Sequence, residues 1–334
     1  MRWEQEIKRQ LEENAEAVDR FIYEEIRGGR PEVLYEASRH LIRAGGKRLR
    51  PYLTVKACEA VGGDPEEAVP YAAALEILHN FTLVHEDVMD HDAFRRGHPT
   101  VHKEYGVPMA ILAGDLLFAK VYDIMVRHAP NGVQPADIVR CIGKTTDATL
   151  TLCQGQALDM IFPEAKDINE DDYIAMVGAK TSALFRACAE VGAIAGGASD
   201  AQVEALGRFA WDAGIAFQIV DDVLGLTADE AKLGKPVGSD IREGKKTLIV
   251  IHALSYADNE QMRKLLNALG SDEASEKDVR DAVEALHASG SIRYARDKAI
   301  EYEDRALKEL EELPDSEARR HLRALVEYFV HREY

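Results

Sequence analysis

The chain has 334 residues, 46% of them hydrophobic, which supplies a substantial core for one large domain or two ordinary ones. Its 41 Lys and Arg against 59 Asp and Glu leave a formal charge of −18, a field that disfavours nonspecific binding to nucleic acid or anionic lipid. An anionic ligand would therefore need local basic clusters or metal ions to be held. Cys58, Cys141, Cys153 and Cys188 show no C-x-x-C spacing and read as free thiols of a reducing compartment. The start is charged throughout, without the apolar core of a signal peptide, and no apolar stretch approaches the ~20 residues that span a bilayer. A soluble, cytoplasmic protein is expected.

Helical periodicity dominates, and alternating strand patterns are scarce. Breaks are expected at Gly28-Gly29-Arg30-Pro31, Gly62-Gly63-Asp64-Pro65, Pro130-Asn131-Gly132, Pro163, Gly196-Gly197, residues 226–246 and Gly270-Ser271-Asp272. Between them lie about ten to thirteen helices, an all-α chain. Near the start, Gly45-Gly46-Lys47-Arg48-Leu49-Arg50-Pro51 sets three cations just after a glycine pair. Such clusters suit phosphate, with Arg binding bidentately and Lys as a point charge, although a basic turn is often merely solvated.

The segment Ala72 to Asp90 reads as a helix with apolar residues round most of its circumference, yet it carries Glu86-Asp87 and Asp90. Glu86 and Asp90 share a face one turn apart, about 6 Å along the axis, and His79 falls on nearly the same face. Arg95-Arg96-Gly97 follows the end of this helix. A second buried helix, Trp211 to Gly225, has a seam of Gly214, Gln218, Asp221 and Gly225, with Asp222 beside it. Adjacent carboxylates are costly to bury without cations, and Mg²⁺, which takes oxygen ligands and bridges carboxylates to phosphates, resolves the conflict in both helices. A hydrogen-bonded core network is the plainer reading of the second. The loop beyond carries Lys235, Lys245 and Lys246; Thr247 to Leu254 reads as helix; residues beyond about 255 are amphipathic and carry no identifiable chemistry. No G-x-x-x-x-G-K-[ST], H-E-x-x-H, Cys/His cluster or G-x-S-x-G is present.

Gly46-Lys47-Arg48-Leu49-Arg50-Pro51, the first acidic motif continuing through Arg95-Arg96-Gly97-His98-Pro99-Thr100-Val101-His102, Lys180-Thr181, and Phe217-Gln218-x-x-Asp221-Asp222 occur in the order seen in trans-isoprenyl diphosphate synthases. From about residue 40 to 250 the chain resembles that family, most of all its short-chain archaeal-type geranylgeranyl diphosphate synthases. The resemblance implies a single polyprenyl synthase domain over residues 1–334, with the isoprenoid-synthase fold around a central catalytic cavity, and a homodimer. It implies Glu86, Asp90 and Asp221 as Mg²⁺ ligands supported by Asp87 and Asp222, with about three ions per active site. It places Lys47, Arg50, His79 and Arg96 at the isopentenyl diphosphate site, and Arg95, Lys180, Thr181, Gln218, Lys235 and Lys245 at the allylic diphosphate site. Of these, Lys180, Thr181, Gln218 and Arg95 carry the catalytic role. Asp115, Gln156 and Asp159 resemble its cavity-lining polar positions. The implied reaction ionises the allylic C–O bond, joins the cation to isopentenyl diphosphate and passes the released proton to the departed pyrophosphate.

Two positions depart from the family pattern. Glu86 stands where Asp is usual, moving the carboxylate by roughly 1.5 Å, and Gly225 replaces a third Asp in the second motif. Product length in this family follows the bulk upstream of the first motif. Phe81 with the small Thr82 resembles the C20 makers, and Phe81 lies about 7.5 Å deeper along the helix than Glu86. The helical wheel alone would sooner choose Thr82. Other readings are a C15 or C25 synthase, a class I terpene cyclase, which would not need the 46–51 cluster, and a catalytically silent subunit of a heteromeric synthase.

Overall fold

A computed structural model describes residues 2–165, 167–227, 238–271 and 273–332. Among them the secondary structure is helical except for one two-stranded hairpin, β1 (Phe94–Arg95) with β2 (His98–Pro99). The all-α expectation holds, and helices stop at the glycine and proline clusters that mark the breaks; of the expected break at 226–246, residues 228–237 lie outside the described residues and Ser239–Arg242 form a short helix. Thr247 to Leu254 is helical as expected, within Leu248–Tyr256, and Thr247 caps it through its side chain. No helix among the described residues is long and apolar enough to cross a membrane.

The chain groups into two compact units, each assembled from three separate stretches. The first holds the residues up to Asp147 with Ala187–Gly207 and Glu311–Ala324; the second holds Ala148–Arg186, the described part of Arg208–Leu310, and the stretch from Leu325 onward.

In the first unit, α1 (Arg2–Glu25), α2 (Glu32–Arg43) and α3 (Leu49–Ala60) precede α4 (Pro65–Met89), and α5 (Val101–Tyr105) and α6 (Val107–Arg127) follow the hairpin. α4 starts where its sequence says it should: Asp64 accepts from the Glu66 N–H, Pro65 takes the first turn, and Glu66 and Glu67 face the positive end of the helix dipole. It is apolar nearly all round because it is covered on several sides, packing on α1, α3 and α6. Tyr71, Leu75, Ile77 and Leu78 are fully buried there. The next helix, α7, spans Pro135–Ile161.

In the second unit, α8 (Glu170–Val177) opens with a reciprocal cap between Asn169 and Asp172 and runs into a π-helical turn, Gly178–Ser182; α9 (Ala183–Ala195) follows, and from Ala187 onward it belongs to the first unit. α10 (Asp200–Thr227) supplies Ile215, Ile219 and Val223 to a core shared with Tyr173, Val177, Ile249 and Leu286. Burying a side chain such as Ile219 contributes about 2 kcal/mol. Phe185, Phe217 and Phe329 add a ring cluster with centroids 4.9 to 5.7 Å apart.

Candidate active site

The loop leading into α3 takes backbone conformations that favour glycine at Gly45 (φ +80) and Gly46 (φ +147). A Cβ on Gly46 would stand 3.0 Å from the Arg96 guanidinium, so glycine is what lets that cation approach. Arg48 is sealed from water and bonds Asp19 at 2.7 Å, Glu76 at 2.9 Å and the carbonyls of Ile42 and Gly45 at 3.0 and 3.2 Å. It acts as a strut for the loop. Lys47 stays exposed, while Arg50 on α3 reaches His79 Nε2 at 3.3 Å and Arg96 donates to the Gly45 carbonyl. Removal from water, and then the charges of Arg50, Arg96, Arg95 and Arg48, push His79 well below its ordinary pKa, so the imidazole is neutral. The first unit thus brings together Arg50, His79 and Arg96 of the expected isopentenyl diphosphate set.

At the C-terminal end of α4, Glu86 is half-buried and Asp90 exposed, one turn apart on a shared face, with the Asp90 N–H closing on the Glu86 carbonyl at 2.8 Å. Asp87 is placed differently. It is 1% exposed and lies 2.5 Å from Arg95 Nε; burial raises its pKa to about 6 although Arg95 opposes the rise. Asp87 Oδ2 is buried with no hydrogen-bond partner among the described residues. Arg95 and Arg96 are presented by the hairpin, whose two-residue loop of Arg96 (φ +53) and Gly97 (φ +78) matches the twist of paired strands. The sequence reading did not anticipate this hairpin. Further back on α4, the Phe81 ring packs on His85 at 4.9 Å and on Phe118 of α6 at 5.1 Å. The Thr82 hydroxyl donates to the His79 carbonyl at 2.8 Å, and Asp115 on α6 is exposed.

In the second unit, the π turn adds a residue to the helical repeat and re-aims Lys180 and Thr181. Gly155 on α7 permits this: a Cβ there would lie 2.2 Å from the Lys180 backbone nitrogen. Lys180 pairs with Asp159 at 2.6 Å, and Gln156 beside them is buried. Thr181 Oγ1 donates to Gln218 Oε1 at 2.9 Å, Gln218 Nε2 donates to Asp222 Oδ1 at 3.0 Å, and the Tyr173 hydroxyl donates to Asp222 Oδ2 at 2.7 Å. Burial, reinforced by the neighbouring Asp240, raises Asp222 to about 7. Asp221 accepts from the Arg332 guanidinium, which lies 4.2 Å over the Phe217 ring and reaches the Phe217 carbonyl at 3.3 Å.

Asp240, which the sequence reading passed over, lines a pocket with Asp222, Lys245 and Thr247. A Cβ on Gly225 would meet its Oδ2 at 3.3 Å, so the missing third aspartate of the motif leaves room for a carboxylate from a different segment. Lys245 lies 3.3 Å from Asp240 and 2.8 Å from Glu243; burial disfavours its charge, yet these two carboxylates hold its pKa above the ordinary value. Lys246 donates to the Ala165 carbonyl. Lys235 lies outside the described residues. Tyr173 and Arg332 also escaped the sequence reading, because neither sits in a recognisable motif.

Chemically, the first unit offers a cationic patch around a neutral imidazole and a helix end bearing two carboxylates. The second offers Lys180 paired with Asp159, and Thr181 and Gln218 in a hydrogen-bond chain to Asp222. No group of three or more His, Cys, Asp or Glu among the described residues is arranged to hold a metal by itself. Magnesium, however, binds through one or two carboxylates plus waters and substrate phosphates, and an all-oxygen donor set of this kind fits it.

This fold, with paired acidic helix positions and phosphate-suited cations, defines a prenyl-transferring enzyme of the all-α isoprenoid class. The polyprenyl synthetase family model matches residues 31–286, and the chain belongs to that family. It is similar to the geranylgeranyl diphosphate synthase of Saccharolobus solfataricus, 44% identical over 301 residues covering 90% of each chain. Among solved structures, it is similar to the geranylgeranyl pyrophosphate synthetase of Pyrococcus horikoshii (TM-score 0.91, 45% identity, 98% of this chain and 99% of that one). It is also similar to the polyprenyl synthase of Caulobacter crescentus complexed with calcium and isoprenyl diphosphate (TM-score 0.88, 32% identity, 98% and 97%). Prenyl synthases are generally metal-dependent.

Proposed function

We propose that this protein is a cytoplasmic, homodimeric short-chain prenyltransferase, working as a single synthase domain, that condenses isopentenyl diphosphate with allylic diphosphates to give geranylgeranyl diphosphate. The observation that carries the reading is the gathering of Arg50 and Arg96 beside His79, on the loop that the sealed Arg48 braces, in a chain of charge −18. An acidic protein concentrates cations in this way to hold an anion, and Lys47, Arg50, His79 and Arg96 suit the diphosphate of isopentenyl diphosphate.

Glu86, Asp90 and Asp221, with Asp87 and Asp222 in support, are the residues that would hold Mg²⁺, and three ions per site is the expected number. When bound, the metal supplies charge stabilisation for the leaving pyrophosphate. Arg95, Lys180, Thr181, Gln218, Lys235 and Lys245 bind and orient the allylic diphosphate. The allylic C–O bond breaks, the double bond of isopentenyl diphosphate forms the new C–C bond, and the proton lost from its C2 goes to the released pyrophosphate. The metal assignment is supported by the oxygen donor set and by the calcium and isoprenyl diphosphate held by the Caulobacter relative. The homodimer is supported by Val107, Ile111 and Leu112, which leave an exposed apolar face on α6.

The test is to incubate the purified protein with Mg²⁺, isopentenyl diphosphate and each of the C5, C10 and C15 allylic diphosphates, then size the dephosphorylated products. A C20 product from every starter is expected. A C15 or C25 end point would replace the product assignment, and no condensation with any starter would make the chain a silent subunit. Light scattering at the mass of a monomer would sink the dimer.

A further inference from the structure

The acidic pair of α10 is held by a residue outside every recognisable motif. Tyr173, in the first turns of α8, is 1% exposed and its hydroxyl donates to Asp222 Oδ2 at 2.7 Å. Gln218 Nε2 donates to Oδ1 at 3.0 Å from the same helix as Asp222. Because an ionised carboxylate only accepts, the amide must turn its nitrogen to Asp222 and its oxygen to Thr181, whose hydroxyl donates at 2.9 Å. Both oxygens of Asp222 are thereby fixed, from two sides, in one orientation.

The charges around this carboxylate are as informative as the hydrogen bonds. Four of the most enclosed acids of this protein are each matched to a cation: Glu76 to Arg48, Asp87 to Arg95, Asp159 to Lys180, Asp212 to Arg305. Asp222 instead receives two neutral donors and shares its pocket with another carboxylate, Asp240, whose Oδ1 lies 3.3 Å from Lys245. Neutral donors hold a carboxylate in place without cancelling its charge. That arrangement serves a bound cation better than it serves stability, since metal-binding carboxylates are characteristically oriented by such outer hydrogen bonds.

We infer that Tyr173 is a positioning residue for the divalent-cation site of α10, setting the orientation of Asp222 through its hydroxyl. The inference rests on the reading that Asp221 and Asp222 serve a metal. Each carboxylate oxygen keeps a further lone pair when it accepts one hydrogen bond, so Asp222 remains able to accept from a metal-bound water.

Mn²⁺ binding to the full chain, followed by electron paramagnetic resonance with and without inorganic diphosphate, tests this directly. Tyr173→Phe is expected to raise the Mn²⁺ dissociation constant roughly tenfold, the usual scale for an outer-shell loss. In turnover, the Mg²⁺ concentration for half-maximal rate should rise while KM for isopentenyl diphosphate stays put. Tyr294→Phe is the control: it removes another phenol-to-carboxylate bond, made to Glu170 at the start of α8 at 2.5 Å, and leaves both hydrogen bonds to Asp222 in place. It should leave Mn²⁺ affinity within about twofold. Gln218→Met, which removes the opposing donor, should weaken Mn²⁺ as Tyr173→Phe does and stands in for it if that variant fails to fold. An unchanged affinity in the variants at 173 and 218, or an equal loss in Tyr294→Phe, overturns the inference. Wild-type protein that binds no Mn²⁺ refutes the metal reading itself.

Discussion

Arg95 and Asp87 form an ion pair in which the acid is the more deeply buried partner, its side chain 1% exposed against 24% for the arginine. The asymmetry predicts unequal costs. Arg95→Ala strands a buried carboxylate and should cost about 3 kcal/mol at pH 8, whereas Asp87→Ala leaves a guanidinium that can reach water and should cost about 1 kcal/mol. In Arg95→Ala the folded-state pKa of Asp87 rises further above its unfolded value. Such a group favours the fold at low pH and loses that contribution as pH climbs through the folded pKa, so the deficit should widen from pH 4 to pH 8. Urea denaturation of both variants across that range reads the effect, and equal costs at pH 8 would contradict the burial argument.

His79 gives the opposite pH signature. Its pKa is depressed in the folded state by burial and by the surrounding arginines, so the neutral form favours folding at and above the unfolded pKa of about 6.5. Stability should fall as pH drops from 7.5 toward 5, because the unfolded chain takes up the proton that the folded imidazole refuses. His79→Gln should flatten that part of the melting-temperature profile. A variant with the wild-type slope would show that other groups set it.

Gly155→Ala places a methyl against backbone, 2.2 Å from the Lys180 nitrogen, where no side chain is available to swing aside. The π turn must shift, at a cost of about 2 kcal/mol, and Lys180 and Thr181 move with it. We expect a lower melting temperature and a raised KM for the allylic diphosphate, with KM for isopentenyl diphosphate little changed. An equal rise in both would mean that the damage is general.

Phe81 bears on product length. Its ring is held edge-on by His85 and against Phe118, so it is fixed in place. Phe81→Ala should lengthen the product beyond that of the wild type, sized after dephosphorylation by reverse-phase chromatography. An unchanged product distribution would remove Phe81 as the determinant and turn attention to Phe118.

Much of the helical scaffold was legible because its signals are local. α4 announces its start through Asp64-Pro65 and its burial through an apolar circumference, and the glycine and proline clusters end helices where expected. Less visible were features that depend on distant partners or on register. The role of Arg48 as a buried strut is set by Asp19 and Glu76, far away in sequence. Tyr173 meets Asp222 across 49 residues, and Arg332 meets Asp221 across 111. The π turn at Lys180 is a one-residue insertion into a helix, which a hydrophobic period of 3.6 does not register. The hairpin at 94–99 is too short for any alternating pattern.

The side chain of Arg332 is one residue past the end of the last helix, yet it is anchored on Asp221 and stacked on Phe217. Any truncation that reaches Arg332 would therefore strip a guanidinium from the second acidic motif, so a deletion series at this helix end reports on the aspartate as well as on the helix.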